Sequence, residues 1–160
     1  MKKPMLLMAI LFAVTSAFAQ SNTEEIDFMQ SVFGMEKKAM TAEFVSIPED
    51  QSEAFWALYD EYETGRKEMG KKRIDLLNRY AEEYSTMTNE SVDAWMKEIL
   101  SFTKKNDAHL VSYYHKINKA CSPVVATQFY QLELYIKAEI TEEILEVLPF
   151  AAENGSTEDE

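Results

Sequence analysis

The stretch from Ile47 to Tyr84 constrains this chain more than any other. Pro48 suits a first helical position, because its φ is fixed and its missing donor would be unpaired there anyway. Glu49 and Asp50 then place negative charge at the positive end of a helix dipole. Stepping at helical period, Phe55, Tyr59, Tyr62, Met69, Leu76, Leu77, Tyr80 and Tyr84 fall on one stripe, with Arg66 and Arg73 in its middle. Gly65 and Gly70 lie nearby, each weakening a helix by roughly 1 kcal/mol relative to Ala. The spacing predicts one helix of about 36 residues, apolar at both ends and charged at its centre, about 54 Å long. A compact domain of this size is only roughly 37 Å across. The molecule must therefore be elongated.

The flanking segments read as packing partners. Glu24–Val45 carries Ile26, Met29, Phe33, Met40 and Phe44 at helical spacing, with Gly34 inside. After the turn at residues 85–89, Thr88 is the expected cap of a third helix running to Ala120, its stripe made of Val92, Met96, Ile99, Leu110, Tyr113, Tyr114 and Ile117. Ser122-Pro123 opens a fourth with Val125, Phe129, Leu132 and Ile136, followed in line by Glu139 and Glu143, and Pro149 ends it. No period-two alternation is sustained, so the class is all-α: an elongated antiparallel hairpin of four helices, two of them long. An extended layer of this kind leaves apolar surface for a second copy or another partner.

Residues 1–19 have the form of a secretory signal: Lys2 and Lys3, an apolar run over Met5–Val14, then Ala17-Phe18-Ala19 before Gln20. The expected mature chain is one helical domain over residues 20–150 with an acidic tail at 151–160, exported to the periplasm and not inserted in the membrane. Removal of Lys2 and Lys3 takes the net charge from −12 to −14. That balance argues against nucleic acid or an anionic membrane as the main partner. Cys121 is the only cysteine, so no internal disulfide can form, and its thiol is either buried or bridges two chains.

The two short turns set levels along the hairpin. Arg66, Arg73, Thr103, Asn106, Glu139 and Glu143 fall near one height, which predicts a polar layer with Arg73 or Arg66 paired to Glu139 or Glu143. The alternative is that both arginines lay their stems along the stripe and keep their charges in water. Arg66, Lys67, Lys71, Lys72, Arg73 and Arg79 form the one basic island of an acidic chain, either a protein-binding patch or a solvated face with pairs such as Glu63–Lys67 and Glu68–Lys72. No metal site or cofactor is expected, since neither His109 nor His115 has a Glu three residues earlier. No nucleophile has an orienting partner by motif, so an enzyme is not the expectation.

Ile47-Pro48-Glu49-Asp50-Gln51 and Met87-Thr88-Asn89-Glu90-Ser91 stand where two LTxxQ motifs would each open a helix. In this the chain resembles the periplasmic Spy/CpxP-like family, with Pro48 in place of the first Thr and Ser91 in place of the second Gln. Ala54–Tyr62, Phe129-Tyr130-Gln131-Leu132-Glu133 and Leu148-Pro149 look closer to an uncharacterised branch of it. The resemblance implies a cradle-like homodimer with chaperone or envelope-stress roles. The His-rich ends of metal-sensing relatives are absent from this sequence. Two functions follow as expectations: binding of varied protein clients, or a structural or regulatory role with one dedicated envelope partner.

Overall fold

The computed structural model describes residues 23–151, with side chains from Gln30 onward. The signal segment, the acidic tail beyond Ala151 and the side chains of Ile26 and Met29 lie outside the described residues. Within them are four helices and no strand: α1 (Thr23–Phe44), α2 (Ser52–Glu83), α3 (Asn89–Ala120) and α4 (Pro123–Val147). The all-α antiparallel arrangement expected from the sequence is the observed one. Two helices of 32 residues are each about 48 Å long at 1.5 Å per residue.

The boundaries follow local chemistry. Pro48 lies before the helix, not inside it: its ψ of 149° is extended, and Glu49–Gln51 makes one 3-10 turn before α2 begins at Ser52. Tight turns of this kind are common at helix starts, and they shorten α2 relative to the predicted span. Thr88 caps α3 as expected. Its hydroxyl accepts from Ser91 N at 3.3 Å, and Ser91 Oγ accepts from Thr88 N at 2.9 Å. This reciprocal box satisfies two otherwise orphaned donors. Ser122 caps α4 by accepting from Val125 N, with Pro123 in the first turn.

Consecutive helices run antiparallel, and α1 packs against both α2 and α4. The arrangement is an up-down-up-down bundle, in which α1 closes the groove that a flat layer would leave open. Two hydrophobic cores result. The larger centres on Phe55, Tyr59, Tyr62, Leu110, Ile117, Val125 and Phe129, at the end where α1 meets α2. The smaller, at the α2–α3 turn, consists of Tyr80, Met87 and Trp95. There the Trp95 ring stacks on Tyr80 with centroids 4.4 Å apart and its Nε1 donates to Leu76 O at 2.9 Å. Tyr80 Oη donates to Pro149 O at 3.0 Å, tying the end of α4 to this tip. At the start of α3 it is Trp95 that is buried, while Met96, expected on the apolar stripe, is exposed. Cys121 is partly buried against the larger core, its thiol 3.9 Å from Gln51 O and its pKa pushed up by burial.

Candidate functional site: a charged layer and cleft between the two cores

Three helices bring charge to the interior between the cores. Lys37 of α1 is only 2% exposed. Its Nζ lies 2.5 Å from Glu63 Oε1 on α2 and donates to Glu133 Oε2 on α4 at 2.8 Å. Glu133 Oε1 is also close, at 2.7 Å, but has no hydrogen-bond partner of its own. Tyr62 Oη donates to Glu133 Oε2 at 2.6 Å, and Arg66 Nε donates to Glu63 Oε2 at 2.8 Å. One ammonium thus bridges two buried carboxylates, and each carboxylate has a second donor. Such partners offset much of the desolvation cost of burying these charges.

The helical stripe explains the convergence. Tyr62, Arg66 and Arg73 sit at i, i+4 and i+11 on α2 and so share its inner face, while Glu63 is turned one position toward α1. Burial, then the Glu133 charge and its hydrogen bond, push the Tyr62 phenol far above its ordinary pKa of 10.0. The Arg66 guanidinium lies over the Phe33 ring of α1 at 5.1 Å. Its Nη2 is buried and has no hydrogen-bond partner. Arg73 is half-buried, and burial lowers its pKa. Its only hydrogen bond among the described residues is a long one, Nη2 to Thr141 Oγ1 at 3.5 Å.

Between these groups is a cleft of about 90 Å³ lined by Phe33, Lys37, Tyr62, Arg66, Gly70, Arg73, Phe102, Asn106, Leu110, Glu133, Ile136, Lys137 and Ile140. Of the polar layer expected from the sequence, Arg66, Arg73 and Asn106 are here. Thr103 and Glu139 are exposed and Glu143 is half-buried. Among the described residues no ion pair joins Arg73 or Arg66 to Glu139 or Glu143; Arg66 pairs with Glu63. The expected levels hold, since His109 Nε2 lies 3.0 Å from Tyr62 O and Lys137 pairs with Asp107. The direction around α4 is what differs. Glu133, one turn before Ile136 on the buried stripe, supplies the interior carboxylate.

The basic island does not form one face. Arg66 and Arg73 turn inward, and Arg79 pairs with Glu98 at 2.7 Å. Lys71 and Lys72 share their surface with Glu68 and Asp75. Lys67 is half-buried, and Glu63 pairs with Lys37 and Arg66 in place of Lys67. The nearest lysine to Glu68 is Lys71, at 4.0 Å, not Lys72. Of the motif residues, Ile47 packs on the larger core, Met87 is buried in the smaller, Gln51 is half-buried and Gln131 is exposed.

Sequence reasoning missed Lys37, Glu63 and Glu133 as one cluster. The available signal was Lys37 between Phe33 and Met40, and Glu133 between Phe129 and Ile136, each a charge inside an apolar stripe. Among the described residues no group of three or more His, Cys, Asp or Glu is arranged to hold a metal ion. No helix there is long and apolar enough to cross a membrane.

No known family model, curated protein or solved structure matches the chain.

Proposed function

We propose that this is a non-catalytic periplasmic protein-binding protein, Spy/CpxP-like in its mode of action, that engages partners through the outer face of α4. One observation carries the reading. Every exposed position of α4 from Pro123 to Ala138 is uncharged: Pro123, Val124, Thr127, Gln131, Leu134, Tyr135 and Ala138. Val124 is 63% exposed, Leu134 42%, and Leu145 beyond them 64%. The exposed face of α2, by contrast, carries Glu53, Asp60, Glu61, Glu68, Lys72 and Asp75. In a chain of net charge −12, a neutral apolar helix face is where another protein surface approaches with least repulsion and most burial.

The test is suppression of aggregation of several unrelated unfolding proteins by the wild type and by Leu134→Lys/Tyr135→Glu. Protection lost in the double variant supports the reading, and protection by both proteins alike overturns it. Protection of none, with one envelope protein cross-linked through α4, favours the dedicated-partner alternative. Sedimentation of both proteins reports whether the same face also joins two copies.

A further inference from the structure

We propose that the cleft between the two cores is a binding site for a small aliphatic carboxylate of two to four carbons.

The charge balance of the cleft is the first argument. Four cations line it: Lys37, Arg66, Arg73 and Lys137. The carboxylates paired with them are Glu63, Glu133 and Asp107. Lys137 and Asp107 pair at the rim, and of the three inner cations against two inner carboxylates the half-buried Arg73 is left without a carboxylate among the described residues. A monoanion would complete the balance, and a dianion would overshoot it.

The second argument is donor geometry. Arg66 uses Nε on Glu63 and leaves Nη2 buried without a partner. Arg73 reaches only Thr141 Oγ1, at 3.5 Å, longer than a good N–H···O bond. Guanidinium groups are suited to carboxylates because their parallel N–H groups match the two oxygens.

The third argument is the remaining wall and the volume. Phe33, Phe102, Ile136 and Ile140 offer apolar surface and no hydrogen bonds from their side chains. Phosphate or sulfate would leave oxygens facing these residues without donors, at the cost of a buried unsatisfied acceptor. A short alkyl tail fits there. The cleft is small, about 90 Å³, and its apolar wall is short, which favours a two- to four-carbon chain over a longer one.

The experiment compares sodium propionate, sodium phosphate, sodium hexanoate and sodium chloride at equal ionic strength and pH 7. It reads thermal unfolding together with saturation-transfer NMR from the protein to the ligand methyl group. Propionate is expected to raise Tm saturably and to show transfer, while the other three salts give neither beyond the chloride baseline. Arg73→Met should weaken the propionate response at least tenfold, whereas Arg79→Met, on the outer surface beside Glu98, leaves it unchanged. A Tm rise from propionate no larger than that from chloride overturns the proposal. So does an equal response to phosphate, or an undiminished response in a folded Arg73→Met protein. If Arg73→Met is unfolded, Ile140→Trp, which fills the cleft without touching a charge, must abolish saturation transfer, and persistence of transfer also overturns it.

Discussion

Helix α2 is held on its two sides by different physics. Toward α3 the seam is aromatic and close: Tyr62 stacks on His109 at 5.0 Å, meets Tyr113 edge-on at 5.5 Å, and Tyr80 stacks on Trp95. Toward α1 the contacts are ionic. Lys37 meets Glu63, Lys38 meets Asp60, and Arg66 covers Phe33. Among the described residues of α1, from Gln30 onward, those buried are Gln30, Lys37 and Thr41, all polar, while Phe33 and Met40 are half-buried. Apolar burial stabilises in proportion to area and carries little register information. A buried ion cluster adds little net stability but tolerates few misalignments. Among the described residues the α2–α3–α4 unit therefore carries most of the apolar burial, while α1 from Gln30 onward is seated mainly by specific polar contacts, which predicts that it is the element easiest to release.

The largest test of that contrast is Lys37→Met. It strands two buried carboxylates at once, and breaking such a cluster costs about 3–5 kcal/mol. Urea unfolding should show this loss, and hydrogen exchange should show α1 amides losing protection before those of α2 or α3. Adding Glu63→Gln and Glu133→Gln should restore most of it, because the stranded charges are then gone. A loss under about 1 kcal/mol for Lys37→Met alone would mean that α1 is held by something other than the cluster.

Next in size is Tyr62→Phe, which removes one donor from the buried Glu133 carboxylate. Hydrogen bonds to charged groups contribute about 1.5–3 kcal/mol. The pH dependence has a definite sign. The folded phenol has a raised pKa, chiefly through burial, so the folded state retains a proton that the unfolded chain releases near the ordinary value of 10.0. The stability from this group is fully present below pH 10 and is lost as pH rises beyond it. Titrating stability from pH 8 to 11 should give a falling curve for wild type and a flatter one for Tyr62→Phe. Equal slopes would show that the Tyr62 proton is not linked to folding. Tyr59, Tyr80 and Cys121, each raised in the same direction chiefly by burial, contribute to the slope that remains.

The helix count, the caps at Thr88 and Ser122 and the levels of facing residues were all legible, because each depends on short-range periodicity and turn length. The rotation of a helix about its axis was not. Glu139 and Glu143 looked inward on a straight extrapolation from Ile136, yet Glu133 carries the buried charge. A 3.6-residue period leaves neighbouring positions on one broad face, and the partner decides which of them turns in. Lys37 decides here, and it lies on α1, which a reading of the central hairpin alone leaves out. The neutral face of α4 was hidden for a related reason: which residues stay exposed depends on where α1 and α3 cover α4.

The smallest effects, and the ones of opposite sign, come from two glycines on the two seams. A Cβ at Gly65 would stand 2.5 Å from His109 Cε1 and 2.9 Å from its Nε2. That ring cannot slide freely, since it stacks on Tyr62 and its Nε2 lies 3.0 Å from Tyr62 O. Gly65→Ala gains about 1 kcal/mol of helix propensity but overpacks a tight contact, which costs about 1–3 kcal/mol. The net expectation is a loss of about 1 kcal/mol. At Gly34, on the α1 side, the nearest atoms to a Cβ are Lys67 Cε at 3.6 Å and Glu63 Oε2 at 3.9 Å, both at ordinary contact distance. Gly34→Ala should therefore keep its propensity gain and stabilise by about 0.5–1 kcal/mol. Thermal unfolding of the two variants side by side reads the difference in packing of the seams. A stabilised Gly65→Ala would show that the α2–α3 contact yields as readily as the ionic one, and the contrast between the two sides of α2 would fail.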